Sequence, residues 1–320
     1  MKPDSDYRIA AEMLINRVQK NRRRLKPWAK REQISSFRLY DRDIPEIPLA
    51  VDWYDGRLHI ALYERAKLPE AQQEAWVTHL ANALGQALSV SASNIYIKLR
   101  RRAEGGTQYR PLDTRKELIE VQESGLTFLV NLSDYVDTGL FLDHRILRRT
   151  VLSEAKQKRF LNLFAYSGSF SVYAAAGGAE STVTVDLSNT YLDWAEKNMR
   201  RNGFAGAEHR FIRDDILSAL ENNRIPGTYD IIVVDPPTVS KSKSMSRDLD
   251  IQRDHVALLN GALRCTSPGG TVFFSNNLKK FKLNSEEIEC DNIQNITEKT
   301  RPFDFRSPFV HHSFRLTKSQ

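Results

Sequence analysis

Two rhythms of apolar and polar positions divide this chain. From Arg159 onward, apolar runs at 160–164 and 229–235, a β-branched alternating stretch at 181–186 and a shorter segment ending in Phe211-Ile212 at 208–212 predict strands. Amphipathic stretches at 169–177, 189–202 and 215–222 predict the helices between them. A helix over 248–266, a turn at Ser267-Pro-Gly-Gly270 and a strand over 271–275 continue the alternation. Strands separated by helices must run parallel, with helices covering both faces of the sheet. Two closing strands, 293–299 and 309–317, are expected to break the pattern as a reversed edge hairpin.

Before Arg159 the signals are mixed. A loosely apolar helix is expected over 7–31, with Ile9, Met13, Val18 and Leu25 inward and a break near Pro27-Trp28. A short strand over 34–39 follows. Runs at 49–54 and 58–63 flank Asp55-Gly56, a strong hairpin signal. An amphipathic helix over 70–88 carries Trp76, Leu80, Leu84 and Leu88 on one stripe, and strands at 94–99, 117–122 and 126–131 follow. The expected organisation is a basic helical segment, 1–34, a small α+β domain, 35–130, and an α/β domain with a Rossmann-like seven-stranded sheet, 131–320.

Charge changes this picture. The formal charge is +7, and residues 1–31 alone hold ten Lys/Arg against three acids, so the rest of the chain is neutral overall. A basic segment on a neutral body suits a polyanionic partner. Arg17, Lys20, Arg22, Arg23, Arg24, Lys26, Lys30 and Arg31, with Arg100, Arg101 and Arg102, are the candidate RNA contacts. A solvated helix face is the alternative. No apolar run reaches membrane-spanning length, and two cysteines, Cys265 and Cys290, match neither a disulfide framework nor metal spacing. A cytoplasmic protein without a metal is expected.

The candidate chemistry lies where strands end. Asn162-Leu-Phe-Ala-Tyr-Ser-Gly168 runs from a strand into a glycine turn and a helix, where backbone N–H groups can approach a ligand. Asp186 closes the next strand 18 residues after Gly168, near the spacing at which an acid reaches ribose hydroxyls. Asn162, Phe164, Tyr166, Ser167 and Gly168 would line one side of a nucleotide-like ligand, with Leu187 and Ser188 beside its base. Asp215, with Ile216, would meet an adenine amino group; Asp214 is its rival, and helix capping is the alternative role. Arg145, on a helix over 143–156, would pair with a ligand carboxylate or else stay solvated with Arg148 and Arg149; Phe141 and Asp143 precede it. Asp235-Pro236-Pro237 ends a strand and presents a stiff loop to a planar acceptor. This ordered set is the one expected of an S-adenosylmethionine-dependent methyltransferase.

These motifs, with Asp235-Pro-Pro-Thr-Val-Ser-Lys-Ser-Lys-Ser-Met245, Gln252-Arg-Asp-His255, Phe274-Ser-Asn-Asn277 and Gly139-Leu-Phe-Leu-Asp-His-Arg145, carry a wider likeness. Asn16-Arg-Val-Gln-Lys-Asn21 and Leu25-Lys-Pro-Trp-Ala-Lys-Arg31 extend it over nearly the whole chain. The chain resembles the C-terminal module of the bifunctional bacterial 23S rRNA methyltransferases, the half that forms 7-methylguanosine. The resemblance implies a class I methyltransferase with S-adenosyl-L-methionine as donor and 23S rRNA, free or in a precursor particle, as partner. It also implies a companion guanine-N2 methyltransferase module, which this sequence lacks. A sister branch makes 5-methylcytosine with a cysteine after Asp-Pro-Pro, where this chain has none, so cytosine C5 stands as the alternative that would need Cys265 or Cys290. A non-catalytic RNA-binding protein on the same fold is the other.

Overall fold

A computed structural model describes residues 3–63, 69–100, 117–135, 137–241, 245, 247–307 and 310–319. The chain forms two compact units, Met1–Thr138 with Phe303–Ser307, and Gly139–Pro302 with Pro308–Gln320.

The first unit starts with α1 (Pro3–Arg31), followed by β1 (Ser36–Asp41), β2 (Leu49–Tyr54), β3 (Arg57–Tyr63), α2 (Glu70–Leu88) and β4 (Ile95–Arg100). The strands form one sheet in the order β1-β2-β3-β4. Asp55 and Gly56, both at positive φ (44° and 86°), make the tight β2–β3 turn, and α2 is the crossover to the parallel strand β4. A hairpin of β5 (Ile119–Glu123) and β6 (Leu126–Val130) completes the unit. Helix α1 is therefore part of this unit, packed through Leu14, Val18, Leu25 and Ala29 on the same core as Leu80 and Leu84 of α2. The inward stripe differs from expectation. Ile9 and Met13 are exposed, because Ala11, Leu14 and Val18 occupy the 3.6-residue period and place those two on another face. The helix also runs through Pro27 without ending there.

The second unit runs α3 (Arg145–Glu154), β7 (Arg159–Leu163), α4 (Ser169–Ala176), β8 (Ser181–Asp186), α5 (Asn189–Arg201), β9 (His209–Arg213), α6 (Ile216–Glu221) and β10 (Tyr229–Val234). Then come β11 (Val239–Ser240), β12 (Leu249–Asp250), α7 (Ile251–Arg264), β13 (Thr266–Asn276), β14 (Asn292–Asn295), α8 (Thr297–Thr300) and β15 (His312–Thr317). Seven strands form one sheet, β14-β15-β13-β10-β7-β8-β9, with β15 alone reversed against its neighbours. Alternate residues of each central strand face opposite cores. Leu161, Leu163, Ile232 and Val234 pack toward α6 and α7, whereas Phe160, Ile231 and Val233 pack toward α3 and α4.

Three local expectations need correction. The turn at Ser267–Gly270 lies inside β13, where the pairing with β10 jumps from Tyr229↔Thr266 to Ile231↔Thr271 and leaves those residues as a bulge. The strand expected over 293–299 stops at Asn295, whose Oδ1 accepts the N–H of Thr297 at 3.0 Å and turns the chain into α8. The strand expected from 309 starts at His312. No helix among the described residues is long and apolar enough to cross a membrane.

Candidate active site

Strand order locates the site. The chain winds outward from β7 through β8 to β9, then returns to place β10 on the other side of β7. The carboxyl ends of β7 and β10 therefore flank the point where winding reverses, the ligand crevice of such sheets.

On the β7 side the backbone is contorted. Phe164, Tyr166 and Gly168 all have positive φ, at 59°, 50° and 71°. Non-glycine residues held in this region store strain that surrounding contacts must stabilise. Here Tyr166 N–H donates to Asp186 Oδ2 at 2.9 Å, Asn198 Nδ2 donates to Ser167 O at 2.8 Å, and Ser167 Oγ donates to Gly139 O. A Cβ on Gly168 would lie 2.6 Å from Ala195 Cβ, so α5 requires glycine there. The Tyr166 ring packs against Phe141, Tyr191 and Trp194, with Phe141 38% exposed.

Asp186 ends β8 half-buried, accepting from Tyr166 N and from Ser188 N, each at 2.9 Å. Burial pushes its carboxyl up to about 6, although these N–H groups favour the charged form. Leu187 and Ser188 stay half-buried beside it, and the Ser188 hydroxyl caps α5. At the end of β9, Asp214 takes a forked pair from Arg224 at 2.7 and 3.0 Å, and these hydrogen bonds hold its carboxyl below the usual range. That leaves Asp215, not its rival, at the head of α6. Its side chain makes no capping hydrogen bond, so the capping role weighed above is not what it does.

On the β10 side, Asp235 is clamped. Ser275 Oγ, from β13, donates to its Oδ1 at 2.5 Å, and His144 Nε2 lies 3.4 Å from its Oδ2. Pro236 is buried and Pro237 half-buried, while Thr238 Oγ1 donates to Asn277 Oδ1 at 2.6 Å and ties the loop to the end of β13. His144 stacks on His311 at 4.9 Å between centroids, and His311 Nδ1 lies 3.2 Å from Asp143 Oδ2. Burial lowers the His144 pKa, more strongly than Asp235 and Asp143 raise it, which favours the neutral ring. Its Nδ1 is buried without a hydrogen-bond partner among the described residues, consistent with the tautomer that carries the proton on Nε2, facing Asp235.

Three expected ligand contacts lie elsewhere. Arg145 is fully buried, because α3 turns that face into the fold, so it does not present its charge to a ligand; only Arg149 of the three arginines is exposed. Arg148 donates to Phe141 O at 2.9 Å. Asn162 is 1% exposed and donates to Ser171 Oγ at 3.0 Å, which places it beneath the crevice instead of along it. Ile216 is a core residue at 3% exposure. His144, Ser275, His311 and Asn277 were not singled out by sequence. His144, Ser275 and Asn277 sat inside recognised motifs without an assignable role, whereas His311 carried no spacing signal.

The basic residues of α1 form a separate face in the first unit. Lys20, Arg23, Arg24, Lys26, Lys30 and Arg31 are exposed, Arg17 reaches Asp43 at 3.7 Å, and Arg22 lies 5.1 Å over the Trp53 ring. Arg101 and Arg102 lie outside the described residues, as does the side chain of Arg100.

A family model described as S-adenosylmethionine-dependent methyltransferase matches residues 37–287. The chain belongs to this family. The site fits the family's cofactor: Gly168 leaves no side chain at the turn, and Asp186 offers a part-exposed carboxylate 18 residues on. The methyltransferase is 45% identical over 318 residues to "Ribosomal RNA large subunit methyltransferase K/L" of Syntrophotalea carbinolica, covering 99% of this chain and 44% of that protein. It is 44% identical over 313 residues to the protein of that name from Vibrio cholerae, covering 97% of this chain and 44% of the relative. The methyltransferase thus spans less than half the length of these relatives. Among solved structures it is similar to a putative methyltransferase complexed with SAH, with TM-score 0.76 and 23% identity over 96% of this chain and 81% of the other. A putative SAM-dependent methyltransferase from Streptococcus mutans aligns with TM-score 0.75 and 22% identity over 96% of this chain and 81% of that one. These two likenesses speak to the fold.

Proposed function

We propose that this methyltransferase acts on 23S rRNA in the cytoplasm, transferring a methyl group to guanine N7. The observation that carries the target atom is the pairing of a clamped Asp235 with an absence of thiols at that end of the sheet. Cys265 immediately precedes β13, and its carbonyl accepts from Tyr229 N at 2.8 Å, at the start of β10. Asp235 follows the other end of β10, six residues from Tyr229 and so about 20 Å away at some 3.3 Å per residue. Cys290 precedes β14 at the same amino-terminal side, since Asn292 pairs with Thr317 and Thr317 with Thr271. Burial raises both thiols above their ordinary pKa. Neither can serve as the nucleophile that cytosine C5 requires.

S-adenosylmethionine, when bound, supplies an electrophilic methyl on a sulfonium. Asp186 would accept the ribose hydroxyls, and Phe141, Leu187 and Ser188 would flank adenine, with Asp215 positioned for its amino group. The turn Phe164–Gly168 would hold the methionine side through backbone groups. Guanine N7 presents a free lone pair, so transfer needs alignment and no proton removal. The Asp235-Pro236-Pro237 loop would set the base edge. The carboxylate of Asp235, fixed by Ser275 and His144, would stabilise the positive charge that develops on the purine. The rRNA substrate is supported by the printed names of the two relatives, and the length they have beyond this match leaves room for the companion guanine-N2 module that the resemblance implies. The first unit, with its basic α1, is the proposed RNA-facing part, whether the substrate is free rRNA or a precursor particle.

The test is labelled methyl transfer to unmodified 23S rRNA, followed by mass spectrometry of the nucleosides. 7-Methylguanosine is the expected product. 5-Methylcytosine, or N2-methylguanosine, would overturn the assignment.

A further inference from the structure

Phe303 is 53% exposed, although it lies in a short segment that the fold inserts between α8 and β15 and folds against α1. Arg24 places its guanidinium 4.9 Å from the centre of the Phe303 ring, and Trp28 approaches it at 5.6 Å, tilted by 51°. A groove of about 380 Å³ opens beside them in the first unit, lined by Lys20, Arg24, Arg38, Phe303, Phe305 and Arg306 among others. Two of the acids in its wall, Asp43 and Asp41, already face cations, and the third, Asp304, is buried. Asp43, its side chain only 5% exposed, faces Arg17 at 3.7 Å and Arg306 at 3.6 Å; Asp41 faces Arg38 and Arg42, each at 3.4 Å; Asp304 accepts from Arg38 N at 2.9 Å. Lys20 and Arg24 are exposed and make no ion pair among the described residues, so the open side of the groove is cationic.

We propose that this groove is a subsite for an unpaired RNA nucleotide, with Phe303 as the stacking face for the base and Lys20 and Arg24 as contacts for its phosphates. An exposed aromatic ring gains nothing from water, and together with ion-pair-free cations it is the combination that holds single-stranded nucleic acid. A paired helix keeps its bases inside the stack and has no face to offer Phe303. The subsite deepens the rRNA reading: it implies that the substrate presents an unpaired or extruded base to the first unit in addition to the methylated nucleotide.

The experiment compares binding of the wild type, Phe303→Ala, Phe303→Trp and Lys20→Ala to a labelled unpaired RNA oligonucleotide and to a duplex of equal length, across a salt series. Methyl transfer to 23S rRNA is measured alongside. Phe303→Ala is expected to weaken binding of the unpaired RNA about tenfold, with the salt slope unchanged, and Phe303→Trp to restore it. Lys20→Ala is expected to flatten the slope by about 0.7. Duplex affinity should not respond to Phe303. Equal affinity of Phe303→Ala and wild type for the unpaired RNA overturns the subsite, as does an equal loss on the duplex. Failure of the wild type to methylate 23S rRNA would overturn the function proposed above and leave the oligonucleotide comparison to decide the subsite by itself.

Discussion

Two carboxylates at strand ends on either side of β7, Asp186 and Asp235, are held in opposite ways. Asp186 is held by backbone N–H groups from its own turn and from the adjoining glycine loop, at 2.9 Å each. Asp235 is held by side chains, Ser275 on β13 and His144 ahead of α3. Backbone donors come with the shape of the chain, so the Asp186 environment follows once the strand–turn–helix unit forms. Side-chain donors must be brought from distant segments, so the Asp235 environment exists only when the sheet is assembled in its order. The first arrangement suits a fixed ligand and the second a group whose charge must be aimed.

The largest expected effect separates the two. Asp235→Ala should lower kcat about 100-fold or more while cofactor affinity changes little, as expected when a transition-state charge loses its partner. Calorimetry for S-adenosylmethionine and single-turnover transfer measure the two separately, and a kcat within threefold of wild type would remove Asp235 from the chemistry. Asp186→Ala should do the converse. Cofactor Kd should rise about 10–100-fold through lost hydrogen bonds to a charged group, with much of kcat regained at saturating cofactor. If both variants lose affinity equally, the division of labour is wrong.

The pH response sharpens the same contrast. The Asp186 carboxyl sits at about 6 against an ordinary value of 3.8, so between those values the folded protein holds a proton that the unfolded chain has released. Its contribution to stability is present at low pH and is lost as pH rises through about 6. Cofactor affinity moves the other way, because the ionised form is the better acceptor for ribose hydroxyls. Affinity should therefore strengthen by at most about tenfold per pH unit up to pH ~6 and level off above it, and Asp186→Asn should abolish the step. An affinity flat from pH 5 to 8 in the wild type would contradict this. The smallest effect is expected from Ser275→Ala, which removes one donor to Asp235 and should lower kcat about 3–10-fold without changing cofactor Kd. A Kd change in that variant would mean that Ser275 supports the crevice and not the carboxylate.

The ease of reading the two sites followed their chemistry. The turn at Gly168 and the acid at Asp186 were legible because strand period, glycine and spacing are local properties. Asp235-Pro236-Pro237 was legible as a strand end for the same reason. Arg145 misled because helical spacing locates a residue on a stripe but does not say whether that stripe faces a ligand or the core; α3 buries it. Asn162 misled similarly, since alternate strand positions face opposite layers and its layer lies under α4, bonded to Ser171. His311 was invisible because its partners, Thr300 and Asp143, approach from the end of the short helix α8 and from the far side of the unit's sequence.

By itself, then, the sequence determined the alternation of strands and helices, the parallel sheet, the glycine turn and the acids that close β8 and β10. Each depends on backbone preference or on periodic burial over a few residues. Tertiary structure alone decided which side chains clamp Asp235, that both cysteines lie at the opposite end of the sheet, and that Phe303 returns to line a cationic groove beside α1. Those facts depend on strand order and on contacts between segments far apart in the chain, and no local pattern encodes either.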